Sequence, residues 1–136
     1  MPPLSQQQLK QFTAGQPHVM KLATLTKDGW PSVAPVWYDY DGEAFLVVGP
    51  HQSRWVKNIQ RDSRVSVCID TCDAPYTRVM IRAIAEIVDH EWCPSSSDKA
   101  VRYLGEEAGN RYFEENRRNT RVLVRIVPQN INSWGP

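Results

Sequence analysis

The chain predicts a mainly β fold with short helices, about six antiparallel strands rolled into a small closed or half-closed barrel. Three observations predict it. Turn signals recur at roughly the 8–12-residue spacing of a meander. Two of them, Lys27-Asp28-Gly29 and Asp41-Gly42, are tight hairpin sequences between apolar runs. The chain also closes on a long alternating run, "TRVLVRIVPQNINSW", able to join the same sheet. An open sheet of this size would leave exposed edges, and closure removes them.

Each element has a local cause. Ser5 caps a first helix, with Gln8 in capping-box position and Leu9 and Phe12 on one face, and Gly15-Gln16-Pro17 stops it. Residues 19–26 read as a strand and "SVAPVWYDY", 32–40, as its hairpin partner. Pro35 lies inside that partner, which requires an edge, a bulge or a place where no backbone donor is needed. "EAFLVVG", 43–49, runs back, and residues 53–61 read as a short helix. Strands at 65–70 and 78–89 are joined by the turn-rich "DTCDAPY". Beyond Trp92, a serine cap followed by Ala100, Val101 and Leu104 at helical spacing predicts a helix that Gly105 or Gly109 ends. "NRYFEENRRN" adds a further helical piece, and 120–134 form the last strand. No repeat, low-complexity tract or linker divides the chain, so residues 1–136 are read as a single domain.

Composition excludes several classes. Hydrophobic residues at 41% and charged residues at 23% describe a folded chain rather than a disordered one. A formal charge of +1 gives no global field toward nucleic acid or an anionic membrane, so an anion site must be local. No apolar run approaches the roughly 20 residues of a membrane span. "MPPLSQQQLKQF" lacks the basic and apolar regions of a signal peptide, which makes the cytoplasm the expected location. Cys68, Cys72 and Cys93 fall in no metal-ligand spacing, and Cys68 reads as a small buried side chain. His18, His51 and His90 are unclustered, so no metal site is expected. There is no HExxH, no GxSxG and no arrangement of serine, histidine and aspartate in a recognisable setting. The catalytic residues are therefore unknown, with Tyr38, His51 and Tyr76 as proton donors by chemistry alone. Chemistry without a protein nucleophile suits an organic redox cofactor.

"HQSRWVKNIQRD" follows the apolar run that ends in Gly49-Pro50. Ser53 at the N-cap, free amides on the first turn and the helix dipole together favour a phosphate. Arg54 and Lys57 stand three apart, close enough to close on one anion. The same residues also describe a solvated face, with Val56 and Ile59 on the core side. Arg61 is expected to pair with Asp62 or another surface acid.

"ATLTKDGWPSVAPVWYDYDGEAFLVVG", "SRWVKNIQRDSRVSVCID", "VMIRAIAEIVD" and "RVLVRIVPQNINSW" together resemble the pyridoxamine 5'-phosphate oxidase-like family of FMN-binding split β-barrels, closest to small members that use flavin or the deazaflavin coenzyme F420. The resemblance covers most of residues 19–134. It implies that Ser53 and Arg54 hold the cofactor phosphate, with Trp55 standing where the family has a lysine and Lys57 supplying the missing charge from the next turn. It implies that Ala34, Pro35 and Val36 address the edge of the ring through backbone groups and that Trp37 lies near its face; Val48, Gly49 and Asn58 complete the implied cofactor set. Trp37 and Tyr38 could equally fill the barrel or an interface. Ala83 stands where the family often has glycine. The implied assembly is a homodimer with FMN, or alternatively F420, in the cleft between subunits. Five tryptophans, with Trp30 beside a hairpin turn and Trp134 near the C-terminus, agree with such an interface.

The implied activity is that of an oxidoreductase passing hydride or electrons to a small organic substrate. Arg117, Arg118 and Arg121 could meet the acidic tail of F420 or simply form a wet basic connection. Other readings of the same fold are a flavin-binding, storage or redox-sensing protein, a haem-handling barrel, true pyridoxamine-phosphate oxidase activity, or a barrel for single-stranded nucleic acid. The near-neutral charge counts against the last.

Overall fold

Alternation of covered and open positions along Met20–Leu25, Phe45–Gly49 and Arg64–Asp70 gives strands with one face in a common core. A computed structural model describes residues 3–136. The element order is α1 (Gln6–Ala14), β1 (Met20–Leu25), β2 (Pro31–Val36), β3 (Asp39–Tyr40), β4 (Phe45–Gly49), α2 (Arg54–Arg61), β5 (Arg64–Asp70), β6 (Arg78–Trp92), α3 (Asp98–Leu104), α4 (Glu106–Asn116) and β7 (Arg121–Trp134). Among the described residues, no helix is long and apolar enough to cross a membrane.

The strands form one antiparallel sheet in the order β2-β1-β5-β6-β7-β4-β3. Its two outermost strands, β2 and β3, are neighbours in the chain. Three Cα steps join Val36 to Asp39 and reach at most about 11 Å. Seven flat strands would separate those edges by about 29 Å at ordinary strand spacing. The sheet therefore rolls up, and the barrel is split at Trp37-Tyr38.

That split corrects the expected strand count. "SVAPVWYDY" is two strands, so six become seven. Pro35 lies on the edge strand β2, opposite Lys21, where a missing donor costs no ladder bond on the open side. The pairing of β6 with β7 slips between Arg82 and Ala83, where Ala83 faces Pro128 and Arg82 faces Asn130. Ala83 itself is buried, so its methyl belongs to the core.

The core is filled by Met20, Leu22, Tyr38, Phe45, Val56 and Ile126. At α1, Gln8 N–H donates to Ser5 Oγ at 3.1 Å and Ser5 N–H donates to Gln8 Oε1 at 2.9 Å, the expected capping box. Gly105 ends α3 with φ +88°. Gly109 instead lies inside α4, where a Cβ would stand 2.4 Å from Val101 Cα, so α3 and α4 touch backbone to backbone.

Candidate functional site

At α2, the extended backbone of Ser53 (ψ 135°) breaks into helix, but its hydroxyl bonds to none of the helix amides. This differs from the expected side-chain cap. The first bond into the helix runs from Lys57 N–H to Ser53 O at 3.2 Å. The amides of Arg54, Trp55 and Val56 precede it and find no acceptor among the described residues. As at any helix start, these first amides are left for solvent or a ligand to satisfy. Arg54 and Lys57 are exposed, and neither has an acid partner among the described residues.

The other basic residue of α2 does a different job. Arg61 donates to Leu25 O at 2.8 Å and to Asn58 Oδ1 at 2.9 Å, not to Asp62. Asp62 is held by Arg64 through contacts of 3.0 and 2.7 Å. Those side-chain bonds, with the Arg64 amide, lower the Asp62 carboxyl to about 2. Asn58 points inward and donates to Thr24 Oγ1 at 3.0 Å, tying α2 to β1. Its side chain serves the fold.

A cavity of about 570 Å³ opens beside this helix. Pro35, Val36 and Trp37 from the end of β2, Val48 from β4 and Trp55 from α2 all line it. Five of the sequence-derived positions thus converge on one space. Ala34, Gly49, Ser53, Arg54, Lys57 and Asn58 are not among its walls. Ala34 packs against the core. Gly49 stands directly behind Trp55: a Cβ there would lie 2.3 Å from the indole Cζ2, so glycine is what lets the ring cross the strand end.

The opposite wall comes from α3, α4 and the ends of β6 and β7: Trp92, Lys99, Tyr112 and Phe113, which sequence reasoning missed, and Arg121, which it named only as a possible contact for the F420 tail. Lys99 pairs with Asp39 at 3.4 Å and stands 5.4 Å over the Trp92 ring. Trp37 stacks on Tyr103, centroids 4.8 Å apart, and tilts against Tyr112 at 5.6 Å. Arg121 donates to Tyr112 Oη at 2.9 Å and to Asn116 Oδ1 at 3.3 Å. Of the basic residues before the last strand, Arg121 reaches the cavity, whereas Arg117 pairs with Glu114 at 3.4 Å. Within "NRYFEEN" only helical character was legible.

The three candidate proton donors do not line this space. Tyr38 is fully buried, its hydroxyl has no partner, and burial foremost pushes its pKa far up. His51 Nε2 contacts His90 O at 2.5 Å, and Tyr76 is exposed beside Arg78. Cys68 is half-buried, and burial, then Asp70, raises its thiol, which keeps it from being a ready thiolate. Among the described residues, no cluster of three potential metal ligands occurs. A second cavity of about 620 Å³ lies elsewhere on the sheet, between Ser66, Met80, Arg82 and Trp134, and takes in none of the sequence-derived site residues.

Residues 5–135 match the family described as Pyridoxamine 5'-phosphate oxidase. No curated protein sequence matches. Among solved structures, a conserved hypothetical protein from Mycobacterium tuberculosis has a TM-score of 0.74 at 26% identity, over 97% of this chain and 85% of that one. An F420 reductase gives 0.69 at 23% identity, over 90% and 94%. The haem storage protein HutZ from Vibrio cholerae gives 0.67 at 20% identity, over 93% of each chain. These likenesses establish a shared split barrel.

Proposed function

This chain belongs to the pyridoxamine 5'-phosphate oxidase family, and from that premise we propose that it is an oxidoreductase that binds FMN, or alternatively coenzyme F420, and transfers hydride or electrons to a small organic substrate. One observation supports this above the others. Residues from β2, β4 and α2 that the sequence marks for a flavin line a single cavity, and Trp55 carries that wall to the helix start where Arg54 is unpaired.

The residues fit the group. Three free amides, the unused Ser53 hydroxyl, Arg54 and Lys57 suit a doubly charged phosphate. Strand β2 pairs on one side only, with β1, and so has backbone donors and acceptors to offer along the edge of a flat polar-rimmed ring. Trp37 and Val48 supply apolar walls, and the volume lies within the usual range for cofactor sites. When bound, a flavin or deazaflavin would supply hydride chemistry that protein side chains do not provide. The chain's own part is to seat the phosphate at α2, to orient the ring against β2 and to keep water off its inner face with Trp55 and Phe113.

The assembly proposed is a homodimer acting in the cytoplasm, with no nucleic-acid or membrane partner. Its support is exposed apolar surface at the β1–β2 hairpin, where Trp30 is 71% and Val33 67% exposed. Mass measured in solution tests the dimer, with Val33→Asp expected to shift it toward the monomer.

Haem relatives exist in this fold, but His18, His51 and His90 all lie outside the cavity walls, so no histidine is placed there as an axial ligand. The deciding experiment is titration of the purified protein with FMN and with F420, read by absorbance and fluorescence. Saturable binding of one of them at one site per chain is expected. Binding of neither overturns the proposal. Tight binding without oxidation of any reduced nicotinamide or F420 cofactor would make the protein a flavin store instead.

A further inference from the structure

Arg121 carries the half-buried charge of the cavity wall that no acid among the described residues neutralises. Its partners, Tyr112 Oη and Asn116 Oδ1, are neutral, and its guanidinium lies 5.7 Å from the Tyr112 ring centroid. Those contacts fix the direction of the group without cancelling its charge. The other charges of the wall are already accounted for. Lys99 and Asp39 pair with each other, and Asp98 is exposed on the first turn of α3, where solvent and the helix dipole offset it. Elsewhere, Arg64, Arg111, Arg117 and Arg125 all have carboxylate partners. A cation oriented by neutral acceptors and facing a space walled by Trp37, Trp92, Tyr112 and Phe113 suits an anion attached to something flat and apolar.

We propose that this cavity selects flat organic substrates bearing a carboxylate, which Arg121 receives as a charge-assisted pair while Tyr112 and Asn116 hold the guanidinium in place. This rests on the cofactor reading above and adds the substrate class: the cofactor's phosphate belongs to Arg54 at α2, the substrate's carboxylate to Arg121 at the start of β7. Arg121 is here a specificity-determining residue, and Asn116 a positioning residue.

The test uses the full chain and two flat probes of equal size, 1-naphthoate and its uncharged amide, with binding read by quenching of tryptophan fluorescence. Roughly tenfold tighter binding of the carboxylate is expected, the worth of one hydrogen-bonded charge contact. Rising salt should narrow the ratio. Arg121→Gln keeps donors for Tyr112 and Asn116 and should bring the ratio close to one, whereas Arg121→Lys should keep part of it. Equal binding of the two probes by the unaltered protein overturns the inference and needs no variant that might misfold. A ratio that survives in Arg121→Gln overturns it as well. FMN titration separates the two readings. If Arg54→Ala weakens FMN while the probe ratio is one, the substrate class alone falls. If Arg121→Gln weakens FMN as much as Arg54→Ala does, Arg121 belongs to the cofactor and the inference falls. If neither variant changes FMN affinity, the cofactor reading falls, whatever the probes do.

Discussion

Tyr103 closes the seam of the barrel at Tyr38. Its hydroxyl donates to His18 O at 2.8 Å and accepts from Tyr38 N–H at 3.1 Å, taking the place of the strand partner that the split denies. Its ring lies 8° from parallel to Trp37, the next residue along the same seam. The one side chain from α3 thus both satisfies the broken backbone and backs the aromatic wall of the cavity. Tyr103→Phe keeps the stack but leaves the Tyr38 amide unpaired. We expect a loss of about 1–3 kcal/mol, seen as a fall in Tm of several degrees. An unchanged Tm would show that water serves the seam equally well.

Gly49→Ala tests the close approach behind the cavity. The new methyl would meet the Trp55 ring at 2.3 and 2.9 Å, and that indole is only 8% exposed, so it cannot swing aside freely. Overpacking of this kind costs about 1–3 kcal/mol. Combining the substitution with Trp55→Leu should recover part of the loss, a coupling that a double-mutant cycle in chemical denaturation measures. Strict additivity of the two would place the strain elsewhere.

The contrast between the two contacts shows what the sequence could reveal. Strands β1, β4 and β5 were legible because burial alternates along them residue by residue, and the hairpin turns fix their ends. The break at Trp37-Tyr38 was not, because both residues continue the apolar run, and the partner that stabilises the break lies 65 residues away. The same distinction divides the site. Pro35, Val36, Trp37, Val48 and Trp55 sit close together in sequence around one hairpin and one helix. Tyr112 joins them from α4 and Arg121 from the start of β7, which returns beside β4, and no local pattern announces that convergence. Asn58, which the resemblance places in the cofactor set, lies on the inner face of α2, where the turn of the helix directs its side chain to Thr24.

His18 gives the fold a dependence on pH. It stacks on Phe12 with centroids 4.5 Å apart, and burial first, then Arg102 and Lys21, lowers its pKa from the ordinary 6.5. The folded state therefore resists a proton that the unfolded chain accepts. Stability is full above about pH 6.5 and falls as the pH drops toward the lower folded value. Asp70, the acid near His18, opposes the shift and is already paired with Lys21 at 2.7 Å. His18→Phe retains a ring against Phe12 and cannot be protonated. Its Tm should decline less than that of the unaltered protein between pH 7 and pH 5. Parallel curves would remove His18 as the cause.

Arg54 and Lys57 are the cations that a phosphate at α2 would meet, and their exposure separates binding from folding. Because both are exposed and neither has a partner among the described residues, removing either should leave Tm nearly unchanged. Arg54→Ala should nonetheless weaken FMN by about 1.5–3 kcal/mol, roughly ten- to hundred-fold in Kd, because a forked donor to a charged group is lost. Lys57→Ala should weaken it less, since a mobile ammonium one turn further along acts as a point charge rather than a fork. Riboflavin, which has the ring and no phosphate, is the control. Its affinity should be indifferent to both substitutions, whereas Trp37→Ala should weaken riboflavin and FMN alike. If Arg54→Ala weakened riboflavin as strongly as FMN, the arginine would be acting on the shape of the cavity, and the helix start would lose its claim to the phosphate.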